Sequence, residues 1–200
     1  MKATTTMSQL QLLSRMKIKH TLFVVLFTIV CSANAATPVP GDILTIENPS
    51  PPVDLKVVNR LWHYIKDVTG APKDLPPPSI TLDWEVPIRA AMGTQFPTEE
   101  EPNVRLQISI APRTIDTWPR EMVEYGIGHE LVHYVFILQE NNWDATKSTF
   151  SVKRKHHCDP EFKAITRGVA DQLWAIWHSD ALRSKMYDEV QKACANFPQQ

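Results

Sequence analysis

Neither sign of charge dominates this chain, no apolar run is long enough to cross a bilayer comfortably, and no repeat or low-complexity tract interrupts it. Each absence excludes a class of protein. Lys and Arg number 21 against 22 Asp and Glu, so there is no electrostatic footprint for nucleic acid or for an anionic membrane surface. The apolar stretch from Thr21 to Val30 falls short of the about 20 residues that a spanning helix needs. Without an internal period, solenoid and propeller architectures drop out. Cysteine is scarce at three residues, too few for a disulfide scaffold.

The N-terminus has the three-part pattern of a secretory signal peptide. Met16-Lys17-Ile18-Lys19-His20 is a basic start, TLFVVLFTIV follows, and Cys31-Ser32-Ala33-Asn34-Ala35 ends in Ala-x-Ala. Residues 1–35 are therefore expected to be cleaved after Ala35, with Met16 a possible true start, which implies a periplasmic or secreted destination. The remaining chain has 17 basic and 22 acidic groups, a net charge of −5, and no membrane span. It keeps Cys158 and Cys194, an even pair that an oxidising compartment permits to bridge. Its 165 residues can bury an adequate core without that bridge.

Residues 36–53 are rich in proline and turn formers and read as an extended lead-in to a single domain over 54–200. Leu55, Val58, Leu61, Trp62 and Ile65 repeat on one face of a helix that Thr69-Gly70 and Pro72 end. Ile80, Leu82 and Trp84 alternate with polar residues, as do Val104, Leu106, Ile108 and Ile110, which predicts two half-buried strands; 86–96 stays ambiguous. Pro119 opens a long buried helix to about Gln139. Residues 145–155 read as a polar hairpin or loop with a short strand, and Asp159-Pro160-Glu161 as a helix start. That helix runs to about His178, and a last helix, capped by Ser179 or Asp180, to about Ala195. The order of elements implies an α+β domain, with a small mixed or antiparallel sheet and a helical C-terminal half.

The long helix carries GIGHELVHYV (126–135). Residues four apart share a helical face, so His129 and His133 can present imidazoles to one ion, while Glu130 is turned by about 100° and can reach a water on it. Buried polar groups need partners, and a metal supplies one to both histidines. This is the HExxH pattern, in which Zn2+ binds the two imidazoles and the glutamate acts as general base. A third ligand is required. His156, His157, Asp159, Glu161, Asp171 and His178 are the downstream candidates; His157, in a loop entering a helix, is favoured, with His156 and Cys158 left open.

GHELVHYV resembles the active-site helix of the zincin metallopeptidases, and HHCDPEFKAI is similar to the tail of small single-domain zincins of the SprT-like kind. The resemblance covers roughly residues 119–170. It implies a zincin-like core, a histidine just before a helix as third ligand, and zinc-dependent cleavage of peptide or protein substrates. It also implies an edge strand that pairs with substrate, for which VRLQISI (104–110) is the candidate, and a group that stabilises the oxyanion, for which Tyr187, Arg167 and His178 are candidates. Two other readings stand beside it: a non-enzymatic, zinc-stabilised envelope binding module, and a zinc amidase acting on cell-wall amides. Oligomeric state and substrate are not legible.

Overall fold

Helix α1 (Leu55–Thr69) begins where the Asp54 carboxylate accepts a hydrogen bond from the Lys56 N–H at 2.9 Å and ends where Gly70 turns left-handed at φ 65°. Both signals are local, and both ends fall where the composition places them. In the computed structural model the described residues are 53–83 and 91–195, all within one unit spanning Pro40–Gln200. The expected signal peptide, nearly all of the lead-in and Trp84 lie outside the described residues.

Three strands form a mixed sheet in the order β1 (Ser79–Leu82), β3 (Gln107–Ile110), β2 (Met92–Gln95). β1 pairs parallel with β3, Ile80 opposite Ile108, and β2 pairs antiparallel, Met92 opposite Ile110. β2 falls in the ambiguous segment because Met-Gly-Thr-Gln has no apolar alternation, and all four residues are only half-buried. β3 is shorter than its pattern predicts, starting at Gln107 and leaving Val104 and Leu106 outside. The expectation that VRLQISI is an edge strand is corrected: β3 lies between two partners, and its backbone groups are used on both sides. No strand forms among residues 145–155, where Asn142 and Trp143 (φ 61° each) start an irregular return.

A short helix, α2 (Pro112–Thr117), which the sequence pattern does not announce, connects β3 to α3 (Arg120–Glu140). Helix α3 is apolar around nearly its whole circumference, with Val123, Ile127, Leu131, Val132, Val135, Phe136 and Leu138 fully enclosed. Such a helix must be covered on several sides. The sheet, α1 and α4 (Pro160–Trp177) cover it. The approach is close at Gly128, where a Cβ would stand 2.6 Å from Val169 Cγ1 and 3.1 Å from Leu61 Cδ1. Glu124, wholly buried, ties the corners together. Its carboxylate accepts from the Asp54 N–H (2.9 Å), Arg120 Nε (2.9 Å) and Trp177 Nε1 (3.2 Å). Asp159 caps α4 by accepting from the Glu161 and Phe162 N–H groups at 2.8 and 3.3 Å. Helix α5 (Asp180–Ala195) packs on α4 and is joined by the Cys158–Cys194 disulfide to the 3-10 turn His156–Cys158.

The protein is thus a small α+β domain with a mixed three-stranded sheet and a helical C-terminal half. No helix among the described residues is long and apolar enough to cross a membrane.

Candidate metal centre

One turn of α3 separates His129 from His133, and their ring centroids lie 5.0 Å apart on one face. The third imidazole arrives from far along the chain. Asn141, at the end of α3, donates from Nδ2 to the Ser151 carbonyl at 3.0 Å and accepts from its N–H at 3.3 Å. Glu140 accepts from the Lys153 N–H (2.7 Å) and from Arg154 Nε (2.8 Å). These bonds fold the 141–155 segment back along α3, and the 3-10 turn then sets His157 over the pair. Its Nε2 stands 3.0 Å from Nε2 of His129 and 3.0 Å from Nε2 of His133. Among the described residues these three form a group able to hold a metal ion, with donor atoms all within 4.8 Å of one another.

The donor set fits an ion. In a tetrahedral zinc site with Zn–N of about 2.0–2.1 Å, ligand nitrogens lie about 3.3 Å apart, so only a slight opening is required. Three ring nitrogens facing one another also need something between them, because lone pairs aimed together repel. Each ring is held neutral, the form that ligates. Burial and the adjacent His157 push His129 down to about 3. Burial, then His129, His157 and His156, hold His133 well below its usual range. Burial and His156 lower His157 in the same direction. Phe162 packs edge-on against His129 at 5.2 Å and His157 at 5.5 Å, which restricts ring rotation.

Glu130 has a different setting. It is buried, and its Oε2 accepts a hydrogen bond from Thr94 Oγ1 at 2.8 Å across to β2. Loss of water raises its carboxyl to about 7, against the lowering effect of Thr94. Beside it an open cavity of about 640 Å³ touches His133, His157 and Arg154, with Thr94 and Phe96 on the sheet side. A second cavity, of about 450 Å³, lies past His129 between Trp118 and Tyr125. Met92 and Glu130 line both.

The metallopeptidase expectation is corrected by this geometry. The group that converges is three imidazoles, and Glu130 is not among its members. The expected arrangement, an ion on His129, His133 and a third ligand with Glu130 outside the ligand set as base for its water, is not what the described residues assemble: the Glu130 carboxylate is paired with Thr94 Oγ1. Three histidines set on enclosed elements, and locked by a disulfide next to the third, fit an ion held for structure better than a hydrolytic centre. The resemblance to zincins is confined to the short motifs that suggested it. No protein-family model matches the chain, and no curated protein or solved structure matches it either.

The remaining candidates disperse. His156 lies behind His133, with Nδ1 2.9 Å from His133 Nδ1. Cys158 is consumed by the disulfide. Asp159 is the helix cap, and Glu161 stands in the first turn 3.7 Å from Arg154. The three oxyanion candidates stay away from the centre. Tyr187 donates to Asp171 Oδ1 at 2.6 Å and accepts from Arg183, Arg167 lies over the Tyr187 ring, and His178 ends α4 in a left-handed turn. Thr94, Glu140 and Arg154 were missed by sequence reasoning. Nothing local marks them, since each acts across a turn or a strand.

Proposed function

We propose that the protein is a zinc-stabilised, non-enzymatic binding module of the cell envelope, exported by its N-terminal signal. The convergence of His129, His133 and His157, with Nε2 contacts of 3.0 Å, is the observation that carries the reading. An ion bound there cross-links α3 to the turn before α4, two segments 24 residues or more apart in the chain. Such a link stabilises the folded state by its binding free energy, because the unfolded chain has no preformed site. Three nitrogens occupy three positions of a tetrahedral ion, and the fourth is left for water or for a donor atom of a bound partner. The adjoining cavity of about 640 Å³ is large enough for a side chain or small ligand to reach it.

The test is metal content and thermal unfolding. Purified protein is expected to carry zinc at one per chain, and removal with a chelator to lower Tm markedly and reversibly. Glu130→Gln is expected to retain the zinc and its protective effect. A chain that binds no zinc, or whose Tm ignores its removal, would refute the reading. Hydrolysis of a peptide panel that disappears in Glu130→Gln would refute the non-enzymatic part.

A further inference from the structure

We propose that His156 and Glu140 form a positioning relay that fixes the tautomer of His133 and so holds its Nε2 ready for the ion; this rests on the metal-centre reading above. His133 Nδ1 and His156 Nδ1 are 2.9 Å apart, so one proton lies between them and belongs to one ring or the other. His156 Nε2 is buried without a well-aligned hydrogen-bond acceptor, and Glu140 Oε1 stands 3.4 Å from it. Glu140 is itself enclosed, fixed by the Lys153 N–H and the Arg154 guanidinium.

Proton counting chooses between the two arrangements. If His156 kept its proton on Nδ1, its bare Nε2 would face the Glu140 carboxylate, lone pair to lone pair, between side chains that are only 5 % and 7 % exposed. His133 would then carry its proton on Nε2, where the ligand position is. With the protons exchanged, every group is satisfied. His156 Nε2–H points to the Glu140 carboxylate, its Nδ1 accepts from His133 Nδ1–H, and His133 Nε2 is free to bind. An anionic acceptor at the far end therefore selects the ligating tautomer two rings away. The His156 ring is oriented by stacking on Phe162 at 5.8 Å and by Phe136 edge-on at 5.4 Å, which restricts its rotation.

The experiment measures zinc affinity by competition with a chromophoric chelator, the Co2+ ligand-field spectrum, and the Tm of the metal-free protein. Four proteins are compared: wild type, His156→Phe, His156→Gln and Glu140→Gln. A phenyl ring suits the apolar walls given by Phe136 and Phe162, so metal-free His156→Phe should melt at or above wild type while binding zinc about 10–100-fold more weakly. A purely structural role would move the two readouts together. Glutamine can accept with its carbonyl and donate with its amide, so His156→Gln should recover most of the affinity. Glu140→Gln should weaken zinc about tenfold. Long-range 15N NMR on metal-free wild type should find protons on His133 Nδ1 and His156 Nε2, and this decides the matter even if His156→Phe fails to fold, because a bound ion would by itself force the proton onto His133 Nδ1. Affinities within threefold of wild type in both His156→Phe and Glu140→Gln, or a proton on His156 Nδ1, would overturn the relay while leaving the metal centre standing. Failure of wild type to bind zinc would overturn both.

Discussion

Replacing Glu130 with glutamine in the metal-free protein should make the stability difference from wild type depend on pH, moving in the variant's favour as pH rises from mildly acidic to mildly alkaline. The carboxyl is raised by burial to about 7 from an ordinary value of 4.5. A raised acid binds its proton more tightly in the folded state, so its contribution is fully present below the unfolded value and is lost as pH climbs through the folded one. With those two values, wild type loses about 2.5 kcal/mol of stability from this group between pH 5 and pH 8, since each tenfold change in proton affinity is worth about 1.36 kcal/mol. Glutamine has no such titration. Its amide can still pair with Thr94, which has one hydroxyl proton and two acceptors, Glu130 Oε2 at 2.8 Å and the Glu130 carbonyl at 3.0 Å. The difference between variant and wild type therefore isolates the carboxyl from the neighbouring histidines, which titrate in both. Urea unfolding of chelator-treated protein at pH 5 and pH 8 reads it directly. The variant should gain about 2.5 kcal/mol relative to wild type on going from pH 5 to pH 8. A difference that stays constant within about 0.5 kcal/mol would refute a desolvated Glu130 carboxyl. In separate samples freed of chelator, the variant's zinc affinity should stay within a few-fold of wild type, since Glu130 is outside the donor set.

Further outcomes follow from packing and cross-links. Gly128→Ala sets a Cβ 2.6 Å from Val169 Cγ1, so the gain in helix propensity should be outweighed by crowding of about 1–3 kcal/mol, read as a lower urea midpoint. A higher midpoint would mean that α1 and α4 stand further from α3 than described. Opening the Cys158–Cys194 bridge by double substitution to serine should cost about 3–4 kcal/mol, as expected for a separation of 36 residues, and weaken zinc as the His157 turn loosens. Unchanged zinc affinity would show that Glu140 and Asn141 hold that turn without it. Asp159→Ala removes the α4 cap and should cost about 1 kcal/mol in thermal or urea unfolding.

Much of this protein was determined by bonds that close within a few residues. Asp54 and Gly70 delimit α1, Asp159 and Pro160 start α4, and the i, i+4 spacing puts His129 and His133 on one face. All of these are readable because cap, turn and helical period are local properties of the chain. The tertiary structure decided the rest. β3 became the centre of the sheet because a parallel partner, β1, arrives from 28 residues upstream, which alternation cannot report. Asn141 and Glu140 fold the intervening segment back along α3 and bring the 3-10 turn to the pair, where His157 meets both Nε2 atoms and His156 meets His133 Nδ1 alone. The partner of the buried Glu130 carboxylate is Thr94, a residue of a strand with no apolar pattern to announce it. The helix that presents two imidazoles was written in the sequence; the group they form was set by contacts between segments far apart, whose energies no local pattern contains.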